Sequence, residues 1–238
     1  MIQNVPSIYN QPSIYNGGVG LPGDFGTPGA SILPEQYRQV AAVYIPHGKH
    51  TNAYKTFRFS DYGLQQFDNS VLKIKSGVYR TTPLHTGGGS YVSLFYIQTG
   101  SKKTYINYYP MGNPKKYQLR NGSSSPDVNI PGGDLLGIHD LILNGSDVID
   151  NGQTLTTTLP VTAYNVESIC PFVGTVVGAS IHTCNIATRY LKMYNQDNLV
   201  LFFIPVIRVS DGVPGLFELV NEVFIPNTYA TAIEKIDL

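Results

Sequence analysis

From residue 40 onward the chain is a succession of short β-branched and aromatic runs cut by turn-forming residues, and nothing else in it constrains the fold as tightly. VAAVYIP, KTFRFSDY, VLKIKSGVYRT, YVSLFYIQT, TYINYYP, TLTTTLPVTAY, PFVGTVVGASI, LVLFFIPVIRV and LVNEVFIP follow one another. Between them stand Gly87-Gly88-Gly89, Gly100-Ser101, Asn121-Gly122, Gly132-Gly133, Asn144-Gly145, Asn151-Gly152 and Asp211-Gly212. Many short strands at a spacing of roughly ten residues predict an antiparallel sandwich or barrel. Val71 to Lys75 and Thr104 to Tyr108 alternate apolar and polar side chains, which predicts half-buried strands. Leu199 to Ile207, although it contains Pro205, reads as a buried strand, paired with Ile186 to Tyr194 across Asn195-Gln196-Asp197-Asn198. Helix signals are few: two turns over Ser60 to Phe67 with Ser60 or Asp61 as cap, and a short terminal helix over Tyr229 to Leu238.

Residues 1 to 34 have a different texture. Pro6, Pro12, Pro22, Pro28 and Pro34 alternate with Gly17, Gly18, Gly20, Gly23, Gly26 and Gly29. A helix does not survive that density, and a central strand would lose a ladder bond at each proline. The segment is expected to be an extended arm. Within it the pentad PSIYN occurs twice, six residues apart. In a helix six residues turn the chain by about 600°, so the copies would face different ways. Extended forms repeat every 2 or 3 residues, and six is a multiple of both. Ile8 and Ile14 then share one face and Tyr9 and Tyr15 another, about 20 Å apart. Pro6 and Pro12 pre-set the extended backbone. The six residues Pro6, Ile8, Tyr9, Pro12, Ile14 and Tyr15 are therefore the candidate partner-binding set: two equivalent contacts on a straight arm. The chain divides accordingly into an arm, 1–34, and a body, 35–238, with NGSSSPDVNIPGG at 121–133 as a long exposed loop or an internal division.

Composition limits the function. Lys plus Arg and Asp plus Glu both number 16, so a basic surface for nucleic acid is not expected. Only 13% of residues are charged, less than a lone monomer usually displays. Polar residues and surface covered by other subunits would replace that charge. The start of the chain has no charged and apolar export signal, and no apolar run reaches membrane-spanning length. Cys170 and Cys184 are expected to be buried thiols rather than a disulfide.

No residue set reads as catalytic. His47 and His50 would need further metal ligands, and His85, His139 and His182 are scattered. Asp127, Asp134, Asp140, Asp147 and Asp150 could surround calcium, but turn chemistry beside Gly and Asn explains most of them. Gly87-Gly88-Gly89 precedes a strand rather than a phosphate-cradling helix. No cofactor is expected. Tyr105, Tyr108, Tyr109 and Tyr117, close to Lys102, Lys103, Lys115 and Lys116, suggest either a sugar-stacking surface or cross-strand pairs covering a sheet.

The combination of arm, β body, low charge and no catalytic set resembles the virion proteins of bacteriophages and other icosahedral viruses, whose jelly-roll or sandwich bodies are tied together by terminal arms. The likeness is architectural and spans the whole chain; no family motif is matched. It implies a mainly β protein, with an antiparallel β-sandwich or jelly-roll-like body, an extended arm and few short helices. It further implies a structural, non-enzymatic role in a capsid, decoration or tail component. The partners would be other virion subunits in a symmetric or homo-oligomeric assembly, built in the host cytoplasm and located in the virion. The alternative is a glycan-binding or receptor-binding sandwich module.

Overall fold

The structure, a computed structural model, describes residues 33–46, 56–80, 92–109, 116–122, 127–129, 135–156, 161–173 and 186–236, with the backbone alone for 127–129 and 156. The chain forms two units, Met1–Pro34 and Glu35–Leu238. The arm contacts expected at Pro6, Ile8, Tyr9, Pro12, Ile14 and Tyr15 lie outside the described residues.

The strands in chain order are β1 (Tyr37–Gln39), β2 (Ala42–Tyr44), β3 (Phe57–Arg58), β4 (Phe67–Asp68), β5 (Leu72–Arg80), β6 (Val92–Thr99), β7 (Lys102–Tyr109), β8 (Lys116–Gly122), β9 (Asp127–Asn129) and β10 (Gly137–Asn144). They continue with β11 (Asp147–Asp150), β12 (Gln153–Thr156), β13 (Asn165–Val166), β14 (Ser168–Cys170), β15 (Ile186–Asn195), β16 (Asn198–Arg208), β17 (Pro214–Glu218), β18 (Val223–Pro226) and β19 (Thr231–Ile233). The large sheet runs β12-β11-β10-β5-β15-β16-β17-β18, with β1 beside β16 and β2 joining β15 to β19. The small sheet runs β3-β14-β6-β7-β8-β9, and β4 pairs with β13. Every paired strand is antiparallel, as the sequence predicts.

The sheets pack as a β-sandwich around one core. Ile74, Val78, Leu141, Leu143, Leu191, Met193, Leu201 and Phe203 come from the large sheet; Leu94, Phe95, Ile97, Ile106, Tyr108, Tyr117 and Leu119 come from the small one. Each fully buried aliphatic or aromatic side chain contributes roughly 1.5–3 kcal/mol. Two polar clasps link the layers. Asn121 of β8 accepts from Asn69 (2.6 Å) and Thr104 (2.9 Å) and donates to Gly145 O of the β10–β11 turn (2.9 Å). Further along, Tyr117 of β8 donates to Asp150 of β11 (3.1 Å).

Turn chemistry sets the registers. Asp150 faces Gln153 across Asn151 (φ 47°) and Gly152 (φ 84°), the two left-handed residues that a type I′ hairpin needs. Thr99 faces Lys102 across Gly100-Ser101, and Asn195 faces Asn198 across Gln196-Asp197, so the expected β15–β16 hairpin forms. Pro205 is accommodated because β16 changes neighbour there, pairing with β15 through Phe203 and with β1 from Val206.

Three expectations are corrected. The two-turn helix over Ser60 to Phe67 is one 3₁₀ turn, Phe59–Tyr62, ended by Gly63 (φ 69°); neither Ser60 nor Asp61 caps it, since the preceding residue is Arg58. The terminal helix is instead strand β19, drawn into the sheet by pairing Ala232 with Val43. Within 121–133, Asp127–Asn129 form β9 and pair with β8, and the rest after Gly122 lies outside the described residues. Thr104 to Tyr108 alternate in direction but are buried on both faces.

Candidate ligand-binding face

Alternation along β7 sends Tyr108 into the core opposite Tyr117 and sends Tyr105, Asn107 and Tyr109 outward. The expected tyrosine cluster is thus divided. Tyr108 and Tyr117 pack at 5.9 Å between ring centroids inside the sandwich, and burial, reinforced by Asp150, pushes the Tyr117 hydroxyl pKa far up. Neither can meet a ligand. Tyr105 and Tyr109 lie on the other face of the small sheet, where Tyr105 and Asn107 are buried and Tyr109 is half-buried.

There they join Tyr96, Arg120 and Gln118, which were not singled out from sequence, beside the expected Lys103 and Lys116. Tyr96 of β6 stands directly opposite Tyr105, the rings parallel within 8° and 5.4 Å apart. Arg120 of β8 lies over the other face of Tyr105 at 5.6 Å, and the Lys103 ammonium is 6.0 Å from the Tyr96 ring. The Lys116 ammonium is 5.6 Å from Tyr109. These cation–π contacts hold the cations against the sheet. Cys170 of β14 faces Tyr96 and packs with this pair; its sulfur is 3.5 Å from Thr56 Oγ1. Cys184, the other expected thiol, lies outside the described residues.

The centre of the face is Gln118. Its Oε1 accepts from the Tyr109 hydroxyl at 3.1 Å, and from the Tyr105 hydroxyl and Asn107 Nδ2 at 3.4 Å each. Asn107 is oriented in turn by Ser93 Oγ, which donates to its Oδ1 at 2.7 Å. A carbonyl oxygen has two lone pairs, so three donors exceed its capacity. Two of the bonds are at the long limit. The Gln118 amide nitrogen donates to nothing among the described residues. The face therefore carries one amide donor without an acceptor among the described residues, Gln118 Nε2, next to the half-buried Tyr109 ring. The signal for it was present in the alternation of Tyr105, Asn107 and Tyr109 against Gln118 and Arg120, but it is only legible once β7 and β8 are in register.

The remaining candidates do not converge on one site. Asp140 points outward from β10, whereas Asp150 points inward from β11, so these two cannot share a calcium ion. Among the described residues no group of three His, Cys, Asp or Glu side chains is placed to hold a metal. His47, His50, His85 and His182, with Asp134, lie outside the described residues. His139 does meet a carboxylate: its Nδ1–H donates to Asp150 Oδ1 at 2.9 Å. Its Nε2–H, however, donates to Leu136 O at 3.1 Å. A general base needs that nitrogen free for the substrate proton, so the pair is structural. No helix among the described residues is long and apolar enough to cross a membrane.

No protein-family model matches the chain, and no curated protein matches it. Among solved structures it is similar to the galectin LEC-6 of Caenorhabditis elegans, at 11% identity over 63% of this chain and 95% of that one, with a TM-score of 0.33.

Proposed function

We propose that this protein is a non-enzymatic binding module that holds a neutral glycan on the outer face of its small sheet. The carrying observation is Gln118, whose Oε1 gathers three donors while its amide nitrogen donates to nothing among the described residues. Neighbouring sugar hydroxyls can accept from the Gln118 amide nitrogen and donate to its Oε1 in place of one of the long bonds. Tyr109 offers its ring to the apolar side of the pyranose, and Arg120 and Lys103 supply further donors at the rim. Screening neutral oligosaccharides by saturation-transfer NMR tests the reading. Gln118→Ala and Tyr109→Phe, both on the outer face, should each weaken binding about tenfold, a loss of about 1.4 kcal/mol, with an unchanged circular dichroism spectrum. No bound glycan, or equal binding by both variants, refutes it.

A second reading, that the protein is a subunit of a virus particle, is favoured by the PSIYN repeat. Two linked anchors multiply through effective concentration, so Ile8 and Ile14 would make the arm a firm attachment to a neighbouring subunit. Deleting residues 1 to 16 should leave a folded body of unchanged thermal stability that no longer enters particles. Unimpaired incorporation would end that reading. The two are compatible, since a particle subunit can carry a receptor-binding face.

A further inference from the structure

The outer face of the large sheet carries three lysines close together. Lys192 of β15 stands directly opposite Lys75 of β5, and Lys73 lies two residues further along the same face. Directly opposed side chains have Cβ atoms about 4.5–5.5 Å apart, where like charges repel. None of the three forms an ion pair among the described residues. Lys192 and Lys75 lean on aromatic rings instead. The Lys192 ammonium is 4.2 Å from the Phe202 ring and 5.7 Å from that of Tyr190, and the Lys75 ammonium is 5.5 Å from the Tyr194 ring.

Asp140 is the carboxylate that faces this group. Its Oδ1 is already engaged, 3.0 Å from Arg189 Nη1 and accepting from the Tyr190 hydroxyl at 3.0 Å. Arg189 and Lys192 thus share this carboxylate, and Asp147 stands beyond Asn144 from Lys73 on the same face. Burial and the neighbouring Lys75 lower the Lys192 pKa against the opposing pull of Asp140. The floor is rigid. Tyr190 lies across β5 directly over Gly77, where any Cβ would overlap its ring, and the Asp140 bond pins its far end.

We propose that this face binds an acidic oligosaccharide, with one sugar carboxylate seated between Lys75 and Lys192 and the sugar ring against Tyr194. An anion placed there turns one repulsion into two attractions, and the half-buried Tyr194 ring supplies the flat apolar contact. Lysine suits the task, because its three donors rotate around a point charge and do not demand a fixed fork. A nucleic-acid backbone fits less well, since it needs cations along a whole track of phosphates. The site is on the opposite sheet from Gln118 and does not depend on the proposal made for that face.

Isothermal titration of the full chain with tri-galacturonate and with its neutral methyl ester provides the test. The acid should bind at least tenfold more tightly than the ester, and added salt should weaken it. The double variant Lys75→Gln, Lys192→Gln should lose at least tenfold. Lys75→Gln alone should raise Tm without ligand, because the opposed charges are relieved, and should lose the Tm increase that tri-galacturonate gives the parent. No binding at millimolar acid, equal binding of the ester, full affinity in the double variant, or tighter binding of a single-stranded DNA of equal charge would each overturn the proposal.

Discussion

Glu218 and Asp150 are both buried carboxylates, one at each flank of the large sheet, and the fold satisfies them in opposite ways. Glu218, fully enclosed, is caged by groups from its own hairpin and the next strand. Oε1 accepts from the backbone N–H of Phe202 (2.7 Å) and Val220 (3.1 Å), and Oε2 from Asn221 N (2.7 Å) and Asn221 Nδ2 (2.6 Å). None of these donors can titrate. Asp150 accepts from an imidazole and from a phenol of the opposite sheet. The first arrangement fixes a turn; the second joins two layers. Hydrogen-bond satisfaction alone therefore does not say what a buried acid does. The identity of its donors does.

The largest effect should come from emptying the Glu218 cage. Glu218→Ala leaves buried N–H groups without acceptors and should cost about 3–4 kcal/mol in urea unfolding. Glu218→Gln keeps the shape but turns an amide toward a donor, and should still cost about 1–3 kcal/mol. A neutral result for Gln would mean that the cage holds a protonated acid and that the contrast with Asp150 is wrong.

Tyr117→Phe removes only the hydroxyl that crosses between the sheets. It should cost about 0.5–1.5 kcal/mol by the same measurement, without changing the fold. A loss as large as that for Glu218→Ala would place the main attachment of the two layers at this one bond.

The smallest effect separates the sites by pH. Burial lowers the His139 pKa, but its bond to and charge attraction by Asp150, with Leu136 O and Asp140 adding to them, outweigh this and leave it raised. Its contribution to stability is therefore complete below the ordinary histidine value of about 6.5 and is lost as pH rises through the raised value. Burial raises Glu218 despite its four donors. Its contribution is present below the ordinary glutamate value and disappears earlier, as pH climbs out of the acid range. Tm measured from acid to alkaline pH should fall in two steps, and Asp150→Asn should remove the upper step alone. If that variant keeps both steps, His139 is not the group responsible.

Much of the body was legible because its turns are chemically explicit. Asn151-Gly152 and Gly100-Ser101 fix two hairpins, and the Asn195 to Asn198 segment fixes a third. Even the His139–Asp150 pair follows from a register: Gly145-Ser146 sets Asn144 against Asp147, hence Leu141 against Asp150, with His139 two residues along on the same face. What could not be read was which sheet faces which. Tyr117 meets Asp150, and Asn121 meets Gly145, across layers that local patterning does not order. The outer face of the small sheet was half seen: its tyrosines were noticed, but two belong to the core. Glu218 was missed because a lone glutamate after LF looks like any solvent-facing strand residue until the Asn221 turn closes over it.

The Tyr190 ring resting on Gly77 has a consequence for how this protein can diverge. A side chain at position 77 evicts the tyrosine, and the evicted tyrosine releases Asp140 and uncovers Lys192. Position 77 can accept alanine only where position 190 has already become small, and a small residue at 190 gains nothing from glycine at 77. The two sites are epistatic, and a lineage changes both in that order or neither.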